Sequence, residues 1–209
     1  MYFSQTDIKN LEQRYRSRFI NCLSGVKSAN LIGTIDAKKQ ANLAIVSSVV
    51  HLGAHPPLIG FVQRPTEVER HTYDNILEQK EYTINTVTTE IVAKAHQTSA
   101  RYPKEASEFE AVGLTPEYKG HCSAPFVKES PLKLHMKLEE VTPITVNQTK
   151  LMVGSIQGIY VPDEIVLPDG HLALEKLTIL GIIGLDTYVN IQKEARYSYA
   201  KPDEPLKKI

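Results

Sequence analysis

The sequence predicts a mainly β protein, a closed antiparallel barrel with helices inserted between its strands. Two observations predict it. Several stretches rich in Val, Ile, Leu and Thr are separated by turn-forming residues. The helical stretches fall between them irregularly, whereas a doubly wound parallel sheet needs one after each strand. Closing such strands into a barrel removes the exposed sheet edges.

Taken in order, the first element is a helix. Ile8, Leu11, Tyr15, Phe19 and Leu23 recur at helical spacing, with Thr6 or Asp7 as cap and Gly25 as stop. Residues 31–35, the polar stretch 36–40 and residues 41–52 read as strand, turn and strand. His55-Pro56-Pro57 interrupts, because proline has no N–H for a ladder, and residues 58–62 supply a third strand. The next helix has two candidate starts: the capping-box pattern Thr66-Glu67-Val68-Glu69, or Thr72 ahead of Asn75 and Ile76. Residues 82–87 form another strand and 89–99 another helix. Residues 100–128 read as irregular, broken by Pro103, Gly113, Pro116, Gly120 and Pro125; so long a loop in a compact domain usually functions or covers something. Leu132 to Leu138 alternates apolar and polar as a half-buried strand does, and residues 151–161 form a second long strand. Pro168-Asp169-Gly170 is a turn, residues 179–184 are a compact apolar segment, and the tail after Tyr199 is expected to be loose.

A chain of 209 residues, 42% hydrophobic and 23% charged, fits one domain spanning 1–209. The 24 basic and 24 acidic residues cancel, so no electrostatic footprint for nucleic acid or an anionic membrane is expected. The N-terminal stretch scatters its charges and lacks the apolar core of a secretory signal. No run approaches the roughly 20 apolar residues of a membrane-spanning helix, and a cytoplasmic location is expected. Cys22 and Cys122, far apart, suggest neither a disulfide framework nor a metal cage.

No P-loop, dinucleotide-binding glycine fingerprint or Gly-x-Ser-x-Gly elbow is present. His51 and His55 have metal-like spacing only on a helix, and they flank Gly53 ahead of two prolines. His121-Cys122 reads as loop without a neighbouring ligand cluster, so no metal site is expected. Two polar clusters are more coherent. Ser47-Ser48 sits in an otherwise apolar strand, where adjacent side chains face opposite sides unless the strand bulges. The pair is either two satisfied core hydroxyls or the lining of a ligand. Gln63-Arg64, followed by Arg70-His71-Thr72, supplies arginines, a hydroxyl and helix N-terminal amides, which suit a phosphate monoester. Solvated arginines are the plainer alternative.

Together these segments resemble the flavin reductase-like family, whose fold is the FMN-binding split barrel. The resemblance rests on Leu31-Ile32-Gly33-Thr34-Ile35-Asp36 with Asn42-Leu43-Ala44, Ser47-Ser48 leading to Pro56-Pro57-Leu58, Arg70-His71-Thr72 with Asn75-Ile76, and Tyr82-Thr83-Ile84-Asn85. Ser99-Ala100-Arg101-Tyr102-Pro103, Glu108-Phe109, Gly113-Leu114-Thr115 and Ser130-Pro131-Leu132 extend it. The resemblance implies that Ser47, Ser48 and Val49 lie along the flavin. It implies that Arg70 and Thr72 hold the 5′-phosphate, which favours Thr72 as the helix cap, with Arg64 and Gln63 nearby. Ser99, Ala100 and Tyr102 would belong to a loop beside the cofactor. A homodimer with flavin at its interface follows from the resemblance alone.

One stretch departs from the family. Members that feed two-component monooxygenases often carry Gly-Asp-His before the late strand, where the histidine serves the nicotinamide; here Val146 to Leu151 contains none. NADH, NADPH and other donors therefore stay open. The implied function is an FMN-dependent oxidoreductase passing electrons to a small-molecule or protein acceptor, with no side chain assigned as general acid or base. The alternatives are a non-catalytic flavin-binding electron carrier and a split barrel with another ligand.

Overall fold

Strand β2 (Asn30–Ile35) is buried along its whole length, because both of its faces are covered. Leu31 packs with Leu43, Val87 and Phe109 on one side, whereas Ile32 packs with Phe61, Tyr82 and Met136 on the other. Neighbouring side chains on a strand point to opposite faces, so an unbroken apolar run is what a doubly covered strand requires. The computed structural model describes residues 1–65 and 70–209, and β2 lies near one end of its main sheet.

That sheet has seven antiparallel strands. Besides β2 they are β3 (Ala41–Val46), β4 (Val50–Ala54), β5 (Pro57–Gln63), β6 (Glu81–Thr86), β9 (Lys133–Ile144) and β10 (Thr149–Tyr160), in the order β3-β2-β6-β9-β10-β5-β4. Helix α3 (His71–Gln79) joins β5 to β6, and its Ile76 enters the core shared by Phe61, Tyr82 and Met152. A smaller sheet combines β1 (Val26–Ser28), β11 (Leu180–Ile183) and β12 (Thr187–Asn190) in the order β1-β11-β12. Mainly β with inserted helices is thus the observed class, in the split-barrel form.

Strands β3 and β4 follow each other in the chain yet occupy opposite edges of the main sheet. The single expected strand over 41–52 therefore breaks at residues 47–49, where the chain passes from one edge to the other. Several other expectations are corrected. The N-terminal helix is two helices, α1 (Gln5–Asn10) and α2 (Gln13–Cys22), neither with a buried residue. Neither Thr6 nor Asp7 is the cap. Ser4 caps α1 through the Asp7 N–H, while Asp7 reaches back to Ser4, and the Glu12 carboxylate caps α2 through the Tyr15 N–H. Leu11 and Glu12, with ψ of 142° and 141°, separate them. The helix expected over 89–99 shortens to α4 (Val92–Gln97), and the tail folds back, with the Ser198 N–H donating to Lys207 O and the Ile209 N–H to Arg196 O. The Pro168–Gly170 turn is present, with the Gly170 N–H donating to Leu167 O.

The stretch 100–128 is more ordered than its composition suggests. It holds α5 (Glu108–Val112) and the short pair β7 (Pro116–Glu117) and β8 (Phe126–Val127). Part of it runs along β6 in parallel register, side chain to backbone. Glu81 accepts from the Ser123 N–H and hydroxyl, Thr83 donates to Pro125 O at 2.7 Å, and the Asn85 Oδ1 accepts from the Val127 N–H at 3.0 Å. Gly33 permits this approach. A Cβ there would lie 2.1 Å from Pro125 O and 2.5 Å from the Thr83 hydroxyl. The segment covers one face of the sheet, and its own Phe126 and Val127 are fully buried.

Candidate functional site

Strand β3 is the element on which the candidate residues converge. Its inner edge pairs with β2, and its outer edge is completed by side chains. The Leu43 N–H donates to the Glu108 carboxylate at 3.0 Å, and the Ile45 N–H to the Thr98 hydroxyl at 3.0 Å. Ser47 carries the next amide in this series of alternate residues. Glu108 is buried, and burial pushes its carboxyl above the usual range, partly offset by the Leu43 N–H and by the charge of His71.

The Ser47-Ser48 pair divides its tasks at the break. The Ser48 hydroxyl accepts from the Val62 N–H at 3.0 Å and donates to Val62 O at 3.2 Å, so Ser48 is a satisfied structural hydroxyl. Ser47 and Val49 are half-buried on either side, and Val49 packs at the rim of the Phe61–Tyr82 core.

Thr72 does not cap α3; the capping position is Arg70, which makes no side-chain cap bond. The reason lies in β3. The Thr72 hydroxyl is engaged by the Asn42 side-chain amide at 2.9 Å, and Asn42 and Asn75 both meet the Thr34 hydroxyl. The helix therefore opens with Arg70 rather than a capping hydroxyl at its head, and a helix N-terminus with an arginine beside it suits an anion. The other proposed start, Thr66 to Glu69, lies outside the described residues. Arg70 is half-buried, its Nε donating to Pro65 O at 3.5 Å.

Gln63 ends β5 and faces Lys150 across the ladder to β10. Lys150 in turn lies over the Tyr73 ring, with Nζ 4.5 Å from its centroid. Gln63, Lys150 and the first turn of α3 thus meet at one end of the sheet, with exposed Arg64 beside them. Sequence reasoning missed Lys150, because only the cross-strand register brings it to the helix. It missed Asn42 as the anchor of Thr72 for the same reason.

Ser99, Ala100 and Tyr102 form a second group. Ser99 and Ala100 close the turn after α4, their N–H groups donating to His96 O and Gln97 O, and both are exposed. The Tyr102 hydroxyl accepts from the Gln97 side chain at 3.2 Å. The Thr98–Ile45 bond ties this turn to β3 three residues beyond Asn42, a separation of about 10 Å along a strand. Both groups therefore flank the one strand that leads into Ser47–Val49. Of the Val146–Leu151 stretch, residues 146–148 lie in the turn between β9 and β10, with Val146 exposed, and residues 149–151 open β10.

His51 and His55 are both exposed, at β4 and its turn. Cys122, however, is not isolated. It lies with Glu81 and His135, their potential ligand atoms all within 4.8 Å of one another, which corrects the reading of His121-Cys122 as loop without partners.

Residues 24–173 match the flavin reductase like domain family. The chain belongs to this family. A split-barrel protein from Shewanella frigidimarina, described as a candidate flavin reductase, has 52% sequence identity to this flavin reductase-like protein, with a TM-score of 0.92 over 96% of this chain and 100% of that one. Flavoredoxin of Desulfovibrio vulgaris shares the fold at 20% identity and a TM-score of 0.72, over 97% and 98% of the two chains. An uncharacterized protein of Aquifex aeolicus is 29% identical over 167 residues, 79% of this chain and 84% of the relative. Among the described residues no helix is long and apolar enough to cross a membrane.

Proposed function

We propose that this flavin reductase-like protein is an FMN-dependent oxidoreductase, holding the cofactor between the start of α3 and the residues 47–49 break. The observation that carries the reading is Arg70 at the cap position of α3, with Thr72 fixed by Asn42 on β3. A helix N-terminus attracts a phosphate monoester, and arginine adds charge-assisted donors. Bound FMN supplies the hydride and electron chemistry; the protein binds and orients it.

In this reading Ser47, Ser48 and Val49 lie along the ring system, with Ser48 holding the break in place through Val62. Gln63, Arg64 and Lys150 border the phosphate end, and Ser99, Ala100 and Tyr102 border the other. Electrons come from a reductant, NADH or NADPH among them, and leave to a small-molecule or protein acceptor. A homodimer belongs to the same reading: Val50 and Leu52 on the edge strand β4 are exposed, and a second copy would cover them.

The test is an absorbance spectrum of the purified protein, before and after anaerobic NADH and then NADPH. Flavin bands that bleach establish a pyridine-nucleotide-dependent oxidoreductase. Bands that persist assign the chain to electron carriage or to another donor. A colourless protein that also refuses added FMN overturns the proposal.

A further inference from the structure

We propose that Glu81, Cys122 and His135 form a binding site for a zinc-class divalent cation, on the sheet face covered by the segment 115–130. Glu81 pairs in register with Lys137 and Thr83 with His135, so Glu81 and His135 project from the same face of neighbouring strands. The His135 Nε2 lies 3.2 Å from the Glu81 Oε1, and the Cys122 sulfur completes a group whose members all lie within 4.8 Å. Tetrahedral bonds of about 2.0–2.3 Å put ligand atoms roughly 3.4–3.6 Å apart. The carboxylate and imidazole already stand near that separation, and a modest side-chain rotation brings the sulfur in.

Three further features suit a cation. The second Glu81 oxygen accepts from the Ser123 N–H at 3.2 Å and hydroxyl at 2.6 Å, which turns the first oxygen toward His135. Such outer bonds orient ligand carboxylates. The Cys122 backbone is held in place by the Thr83–Pro125 and Asn85–Val127 bonds that follow it along β6. Access is one-sided: Cys122 is buried, the His135 side chain is 14% exposed and that of Glu81 30%, so an ion enters past the carboxylate. Thiolate, imidazole and carboxylate together match the borderline-soft preference of Zn²⁺, and three protein ligands leave a fourth position for water. Binding exchanges the thiol proton for the metal, and the proton leaves to solvent. The bound ion would clasp residues 121–125 to β6 and β9, independently of the flavin reading.

The experiment uses the full-length protein after chelator treatment, titrated with Co²⁺ and with Zn²⁺. The chain has two cysteines, so in Cys22→Ser the single remaining thiol is Cys122. The expected result is one Co²⁺ per chain, with a near-ultraviolet thiolate-to-metal band that persists in Cys22→Ser and is displaced by Zn²⁺. Cys122→Ser should abolish the band, and His135→Asn should weaken binding about tenfold or more. Because Cys22 is exposed, the Cys22→Ser result stands even where a core variant fails to fold. No thiolate band in folded Cys22→Ser, or a band that survives Cys122→Ser, overturns the proposal.

Discussion

The Ser48 hydroxyl occupies the ladder position opposite Val62 and makes both of the bonds a backbone partner would make there. Val50 faces Gly60, so two residues earlier the antiparallel register sets Ser48 against Val62. By that point the main chain has already turned toward β3, and the side chain serves in its place. Ser48→Ala should therefore leave an N–H and a carbonyl without partners and cost about 1–3 kcal/mol. Urea unfolding checks this: the midpoint should fall with an unchanged slope. An unaltered midpoint would show that water replaces the hydroxyl.

Gly33 is fixed by close approach. Its missing Cβ makes room for Pro125 O and the Thr83 hydroxyl, which bond to each other against β2. Gly33→Ala should push the 123–127 segment off β6 and cost about 1–3 kcal/mol, as overpacking does. Limited proteolysis should show faster cleavage between residues 115 and 130. Equal protection in variant and wild type would mean that the segment shifts without loosening.

Much of the architecture was legible in the sequence, and the exceptions share a cause. The apolar run expected as a strand over 31–35 and the alternating strand expected over 132–138 appear as β2 and the first half of β9. Failures occur where a side chain takes a partner that local sequence does not reveal. Glu12 caps α2, Ser48 continues a ladder, and Thr72 serves Asn42 and leaves the cap to Arg70. The 100–128 stretch looked irregular because it is built on bonds to β6 and β3 rather than on its own repeats. The candidate site was legible as residue types, Arg70 and Ser47 among them. Lys150, Asn42 and the Glu81–Cys122–His135 group depend on register between distant strands, which no local pattern reveals.

Glu108 separates the value of an acceptor from that of a charge. It is buried and accepts from the fully buried Leu43 N–H on the outer edge of β3. Glu108→Ala removes that acceptor and should cost about 1–3 kcal/mol in addition to lost packing. Glu108→Gln keeps an oxygen for the bond and removes a charge that burial disfavours, so its cost should stay below about 1 kcal/mol. Denaturant midpoints of the two variants decide the matter. Equal losses would show that the carboxylate charge, facing His71, is what β3 needs.

Acid should weaken the anchor of the covering segment at β7. Burial raises the Glu117 pKa, but the bonds from Lys133, at 2.5 Å, and Lys119, at 3.1 Å, outweigh it and hold the carboxyl below its usual 4.5. The unfolded chain then binds the proton more readily than the folded one. The stabilisation is complete above the ordinary carboxylate value and is lost as pH falls through the lower folded value. Glu117→Gln leaves the buried Lys133 ammonium without its carboxylate and should cost about 3 kcal/mol at neutral pH. The gap between variant and wild type should shrink as pH drops below 4.5. A gap constant with pH would show that Lys133 is satisfied by its bond to Lys128 O instead.

Arg70 gives the sharpest test of the proposed phosphate end. FMN and riboflavin share the ring system, and only FMN carries the phosphate. A charge-assisted hydrogen bond is worth about 1.5–3 kcal/mol, so Arg70→Ala should weaken FMN roughly ten- to a hundredfold and leave riboflavin nearly unchanged. Fluorescence titration of both ligands against both proteins measures the difference. Raised salt should narrow the FMN gap, because screening weakens a half-exposed ion pair more than a buried one. Equal losses for the two ligands would remove Arg70 from the phosphate and place it in the support of α3, where its Nε meets Pro65 O.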